Sequence, residues 1–108
     1  MSGSSGPDIA IGSGGGGEDC LSLRLSRWLE GPVPGVADRL SIGDVLRVEL
    51  REGPPVIVAL VTGAGVDAGS IVPTARLIGC LREGIPFAAE VKAASGGSIQ
   101  VQVEAATA

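Results

Sequence analysis

The sequence has no histidine and no tyrosine, and its only aromatic side chains are Trp28 and Phe87. Histidine is the commonest general base in enzymes and tyrosine is a frequent general acid, so two usual groups for proton transfer are missing. With so few rings, the core must be filled by Val, Leu, Ile and Ala. We therefore expect a protein that is not an enzyme.

Cysteine is also scarce, since the chain contains only Cys20 and Cys80. Two cysteines do not make a disulfide framework in a chain of 108 residues, and no Cys-x-x-Cys or carboxylate cluster has the spacing of metal ligands. We expect two reduced thiols that pack as small apolar groups, and neither a metal site nor a cofactor.

Basic residues are outnumbered, because eight Lys and Arg face twelve Asp and Glu, for a net charge of -4. This sign is opposite to that of most nucleic-acid binders. No apolar stretch approaches the roughly 20 residues needed to span a bilayer, and no basic segment leads into an apolar run at the N-terminus. We expect a cytoplasmic protein that does not enter a membrane.

Domain organisation follows from composition. Gly and Ser make up eleven of the first seventeen residues, which leaves too little apolar surface to offset the entropy of ordering. Residues 1–18 are therefore predicted to be a flexible tail, and residues 19–105 a single domain.

Alternation of apolar and polar residues is typical of strands with one buried face. Leu46, Val48 and Leu50 alternate with charged residues, whereas the run Val56–Val61 is apolar throughout and indicates a strand buried on both faces. The six predicted strands are 21–28, 45–51, 56–61, 70–72, 87–93 and 99–103, with a hairpin turn at 95–98.

One principal helix is predicted between Pro73 and Glu83. Leu77, Ile78 and Leu81 recur at helical spacing, and Gly84 is a left-handed stop. The letters LREG occur at Leu50 and again at Leu81, but the first copy ends a period-two run and the second a helical run, so they are not a repeat. The fold class is mainly β (α+β): a small six-stranded barrel or curled antiparallel sheet with one helix.

The glycine-rich stretch VTGAGVDAGS, from Val61 to Ser70, follows a buried strand as a dinucleotide-binding loop would. Such a loop needs a helix whose N-terminus meets the pyrophosphate. Here Pro73 arrives before a helix can be established, so the stretch is predicted to be a turn between strands.

Candidate binding residues are Arg24, Arg47, Arg51 and Trp28. If the first two strands are neighbours, the three arginines form one exposed patch that could hold a phosphate backbone or an acidic partner. The alternative is an ordinary solvated face in which Glu49 lies between two of them. Trp28 is either a partial core residue or a platform for stacking a base.

The order of signals from Ser41 to Val103 resembles a HIRAN domain. The matching segments are Gly43 to Leu46, Arg51-Glu52 with a following proline, Val56 to Val61, Gly69 to Pro73, the helix Thr74 to Glu83, Gly84, and Ala89 to Val91. The resemblance implies a small β-barrel module, found alone in bacteria and phage and fused to helicases in eukaryotes, that can bind DNA ends or single strands. Arg51 is the residue that it places near such a surface.

Two functional hypotheses remain. The first is a non-catalytic binding module that docks onto a protein partner or a nucleic-acid end within a larger system. Single-stranded DNA is disfavoured by the net negative charge and by the shortage of aromatic rings. Stacking of a base on an aromatic ring contributes about 1–3 kcal/mol, which this chain largely lacks. The alternative is a structural or assembly subunit that self-associates through edge strands or an apolar surface, as an oligomer.

Overall fold

A computed structural model of the protein describes residues 20–106, so the predicted tail at 1–18 lies outside the described part of the chain. The strands are β1 (Arg24–Trp28), β2 (Val45–Arg51), β3 (Ile57–Val61), β4 (Asp67–Ile71), β5 (Phe87–Ser95) and β6 (Ser98–Ala105). All neighbouring strands are antiparallel, and the sheet order is β1-β6-β5-β2-β3-β4. Helix α1 (Ala75–Arg82) connects β4 to β5, and a short 3₁₀ turn, Ala37–Arg39, lies between β1 and β2. The prediction of a curled antiparallel sheet with one principal helix is confirmed.

The sheet curls into a half-barrel whose two ends meet at one bridge. Beyond β1, Leu29 N donates to Ile99 O of β6 at 2.8 Å, while the next residue, Glu30, exchanges two hydrogen bonds with Ser70 of β4, at 2.7 and 2.9 Å. Gly69 makes this approach possible, because a Cβ there would lie 2.8 Å from the Leu29 side chain.

The interior is aliphatic, as the composition predicts. Buried side chains alternate along β2 and β6, and four successive residues of β3 are buried, which confirms a central strand covered on both faces. The largest fully buried side chains are Leu46, Leu60, Leu77, Val58, Val61, Val91, Val101 and Val103. Phe87, which is 3 % exposed, is the one aromatic residue of the core cluster.

Helix α1 lies where the periodicity places it. Thr74 caps the N-terminus by accepting a hydrogen bond from Leu77 N at 3.1 Å, and Gly84 follows the C-terminus with a φ of 87°. Between β5 and β6, Gly96 and Gly97 both have positive φ, which is the requirement of a two-residue hairpin turn. The predicted helix and hairpin are confirmed.

The glycine-rich stretch after β3 is a hairpin turn, as predicted. Thr62 N donates to Val66 O and Gly65 N to Thr62 O, both at 2.8 Å. The chain then continues directly into β4, which pairs with β3 in the antiparallel direction. Strand β4 begins at Asp67, three residues earlier than predicted, because pairing with β3 resumes directly after the turn.

Two expectations about the start of the domain are wrong. Residues 20–22 are helical, and β1 begins only at Arg24. Cys20 and Cys80 are not reduced thiols but a disulfide, with Cα atoms 5.7 Å apart and side chains that are 2 % and 3 % exposed. The bond holds the first described residues against α1, and helical backbone at 20–22 accompanies that contact.

Candidate binding surface

The predicted arginine patch does not form as a single surface. Strands β1 and β2 are separated by β6 and β5, so Arg24 lies on a different part of the sheet from Arg47 and Arg51. The patch was predicted only if β1 and β2 are neighbours, and they are not. Alternation of polar residues places a side chain on a face but does not say which strands are adjacent.

Arg51 is held by a carboxylate from β4. Its Nη1 and Nη2 atoms donate to the two carboxylate oxygens of Asp67, each at 2.7 Å. Hydrogen bonding to Arg51 holds the pKa of Asp67 below its ordinary value, and the same contact raises the pKa of Arg51. Bidentate pairing of this kind fixes the guanidinium in one orientation.

This ion pair passes over the outer face of β3, which lies between β2 and β4 in the sheet. Ala59 and Val61 of β3 are buried although they lie outside the main core cluster. Arginine stems commonly cover apolar surface while the charged group stays in water. Arg51 and Asp67 thus link β2 to β4 across β3.

Two other arginines on the sheet also contact carboxylates. Arg47 Nη2 contacts Glu49 Oε2 at 2.9 Å, and this hydrogen bond is the main cause of a lowered pKa at Glu49. Arg24 contacts Glu104 at 3.3 Å. The three predicted arginines thus each face a carboxylate, which favours the interpretation of an ordinary solvated face.

A further bidentate pair joins α1 to the sheet. Arg82 donates to both carboxylate oxygens of Glu52, at 2.9 Å each, and these bonds lower the pKa of Glu52 and raise that of Arg82. The end of β2 and the end of α1 are tied together by this contact. Glu52 of the first LREG and Arg82 of the second are therefore partners.

Trp28 lies on the outer face of β1, opposite Gln100 of β6, and is 53 % exposed. It is thus not a core residue. Its neighbour Arg27 donates from Nε to Val72 O at 2.8 Å and from Nη1 to Ser26 O at 2.9 Å. Arg27 therefore occupies one carbonyl of β1 and one carbonyl just after β4.

A groove of about 320 Å³ opens beside the 3₁₀ turn. Its walls are three short segments: the 3₁₀ turn with its flanks, the turn that leads into β2, and the β3–β4 hairpin. The lining residues are Gly35, Val36, Arg39, Leu40, Asp44, Thr62 and Val66. We call this the Arg39 groove.

Exposed apolar side chains lie within or next to the chain segments that line the Arg39 groove. Val66 lines it and is 47 % exposed, and Ile42 and Val45, in and after the turn at Asp44, are 68 % and 61 % exposed. Sequence patterns missed this site, because its residues come from loops without periodicity. The one available signal was Ile42, an apolar residue among the polar and glycine residues Ser41, Gly43 and Asp44.

Neither a metal site nor a membrane span is found among residues 20–106. That part of the chain brings together no group of three or more His, Cys, Asp or Glu suited to a metal ion. Its helices are also too short or too polar to cross a bilayer.

Comparison with known proteins gives one resemblance. No family model matches the chain, and no solved structure matches it. The chain is 30 % identical over 86 residues to an adenylate kinase of Gemmatimonas aurantiaca, an alignment that covers 80 % of this chain and 36 % of the kinase. The chain thus spans about a third of the length of that relative. Its single lysine, Lys92, follows Val91, so the chain has no Gly-Lys pair with which a phosphate-cradling loop could be built.

Proposed function

We propose that the chain is a non-catalytic binding module, HIRAN-like in fold, that docks onto a protein partner within a larger system. The observation that carries this proposal is the pairing of the predicted arginines with Glu104, Glu49 and Asp67. The surface offers few uncompensated cations to a polyanion, while several large apolar side chains stand exposed. Such surfaces fit a protein better than a nucleic acid.

A nucleic-acid ligand would have to compete with these carboxylates. A phosphate that approached Arg51 would have to displace Asp67 from a bidentate pair, and Glu49 would repel it. Trp28 could stack one base. The arginines on the same strand are already engaged, because Arg24 contacts Glu104 and Arg27 donates to two carbonyls. We therefore propose a nucleic-acid end only as the second choice of ligand, after a protein partner.

The proposal includes no phosphoryl transfer. The kinase relative is matched over only about a third of its length, and this chain has no lysine in a glycine-rich loop. The carboxylates with lowered pKa values belong to exposed ion pairs on the sheet surface and at the end of α1, and each of them is paired with an arginine. A role as an accessory part of a larger protein is compatible with this partial match.

The alternative of an assembly subunit is less well supported at the strand edges. The edge of β4 is covered by the residues that follow β1, where Val33 N donates to Ala68 O at 2.9 Å. The edge of β1 is capped by Arg27. Natural proteins cover or charge exposed edges in this way to prevent pairing between copies.

Cytoplasmic location stays a prediction from the sequence. The disulfide between Cys20 and Cys80 counts against it, because such bonds persist mainly in oxidising compartments.

The test begins with the full chain in light scattering, where we expect a monomer. Fluorescence anisotropy with a labelled single-stranded DNA at low salt, where phosphate contacts are strongest, should show no saturable binding. Selection of a random peptide display library against the immobilised chain should enrich specific sequences that bind the soluble chain in calorimetry. DNA binding that is lost when Arg47 and Arg51 become Ala, or a closed oligomer without peptide binding, would overturn the proposal.

A further inference from the structure

We propose that the Arg39 groove holds a short peptide segment of the protein partner, in which an aliphatic side chain stands next to a carboxylate. This inference rests on the proposed function, since it names the surface and the chemistry of a partner for the binding module.

The walls of the groove are formed before any ligand arrives. Ser41 N donates to Asp44 Oδ2 at 2.9 Å, and Gly43 N donates to Val91 O at 2.8 Å, which holds the turn against β5. Across the groove, the hairpin is closed by Thr62 Oγ1, which accepts from Val66 N at 3.2 Å. A rigid groove loses little conformational entropy on binding, which favours a short ligand.

Arg39 supplies the positive charge of the groove. Within residues 20–106 its guanidinium makes no hydrogen bond and no ion pair, in contrast to Arg24, Arg47 and Arg51. An exposed guanidinium beside an apolar surface is suited to a carboxylate, which it can bind through two parallel hydrogen bonds. A partner that brings one carboxylate supplies the missing counter-charge.

Asp44 adds a second polar contact. Its Oδ2 atom is used by Ser41 N, whereas Oδ1 can accept from a ligand at the groove wall. A peptide backbone N–H is a suitable donor to Oδ1, whereas a phosphodiester backbone has no N–H to offer. Asp44 therefore favours a peptide whose single carboxylate faces Arg39.

Most of the remaining lining is apolar. Val36 and Leu40 are half-buried, and Val66 is exposed on the opposite wall. A volume of about 320 Å³ is at the small end of ligand pockets and suits one aliphatic side chain with its adjoining backbone. Ile42 and Val45, two residues before and one residue after Asp44 in the chain, are also exposed.

The experiment uses peptides selected by display against the full chain, with affinities measured by calorimetry. The selected sequences should share an aliphatic residue adjacent to Asp or Glu. We expect Arg39→Glu to weaken them by tenfold or more, about what one lost charge-assisted hydrogen-bond pair is worth. Changing the peptide carboxylate to Lys should restore affinity for Arg39→Glu alone. Arg24→Glu, a matched change on β1, should leave binding unchanged.

The other possible results would each overturn a different part of the proposal. Peptides that bind equally well to Arg39→Glu would overturn the assignment to this groove while leaving the proposed function intact. A failure to select any binding peptide would count against the proposed function itself. Self-association of the chain that Arg39→Glu abolishes, or stronger peptide binding after removal of residues 1–19, would make a second copy or the chain's own N-terminal segment the occupant, and would overturn the partner assignment.

Discussion

Arg27 Nε donates a hydrogen bond to the backbone oxygen of Val72 at 2.8 Å, across the gap where β1 and the end of β4 diverge. The same guanidinium also binds Ser26 O, so one side chain bonds a carbonyl of β1 and a carbonyl just after β4. In a sheet whose first and last strands nearly meet, this side chain fills the gap between them.

Replacing Arg27 with Ala should therefore open the edge of β1 to other copies of the chain. We expect the variant to associate as its concentration rises, as seen by light scattering, because its freed carbonyls can accept from a second strand. Arg24→Ala on the same strand removes an exposed ion pair instead and should stay monomeric. A monomeric Arg27→Ala variant at high concentration would show that the edge is protected by something else.

Gly69 should not tolerate a side chain. A Cβ there would lie 2.8 Å from Leu29 and 2.9 Å from Glu30 O, at the bridge that closes the sheet. We expect Gly69→Ala to lower the free energy of unfolding in urea by about 2 kcal/mol. Gly79→Ala is the matched control, because a Cβ there meets nothing within 4 Å and α1 should gain about 0.5–1 kcal/mol. Equal stability of the two variants would contradict a tight closure.

Loss of the disulfide should destabilise the domain more than any surface change. The bond between Cys20 and Cys80 spans 60 residues of sequence, and a loop of that length restricts the unfolded chain by about 4 kcal/mol. We expect a variant with both cysteines changed to Ala to unfold at a lower urea concentration than the oxidised protein. Reduction of the wild-type chain by a phosphine should shift its midpoint in the same direction, and an unchanged midpoint would argue against the cross-link.

Asp67 should titrate below its ordinary pKa of 3.8, because Arg51 stabilises its charged form. Since the folded pKa lies below the unfolded one, the stabilisation is complete above the unfolded value. It is lost as the pH falls through the folded pKa. Carboxyl chemical shifts in an NMR titration should show the low midpoint, and Arg51→Ala should move it upwards. Arg24→Ala, whose partner is Glu104, should not change the Asp67 midpoint.

Much of the fold could be predicted because most of its signals are local. The LREG at Leu50 ends a strand and the LREG at Leu81 lies in the helix, as their different periods indicate. The positive-φ glycines at Gly84 and Gly97 stand where a helix stop and a hairpin turn require them. In each case the residue type limits its own backbone, so no distant information is needed.

The errors concern contacts between residues far apart in the chain. Local pattern cannot reveal that Cys20 and Cys80 meet, nor that two strands separate Arg24 from Arg47. Leu21 and Leu23 continue the alternation of β1, but alternation does not mark where pairing begins. The Arg39 groove was missed for the same reason, since its three walls come together only in the folded sheet.

The bridge between Glu30 and Ser70 also affects how the domain opens. In an open sheet, either outer strand can fray while the other stays in place. Here the backbone after β1 is bonded to β6 at Leu29 and to β4 at Glu30, so a fluctuation that releases one outer strand also exposes the other. Partial unfolding of this small sheet is thus coupled at both ends, and its outer strands should exchange their amide hydrogens together rather than in sequence.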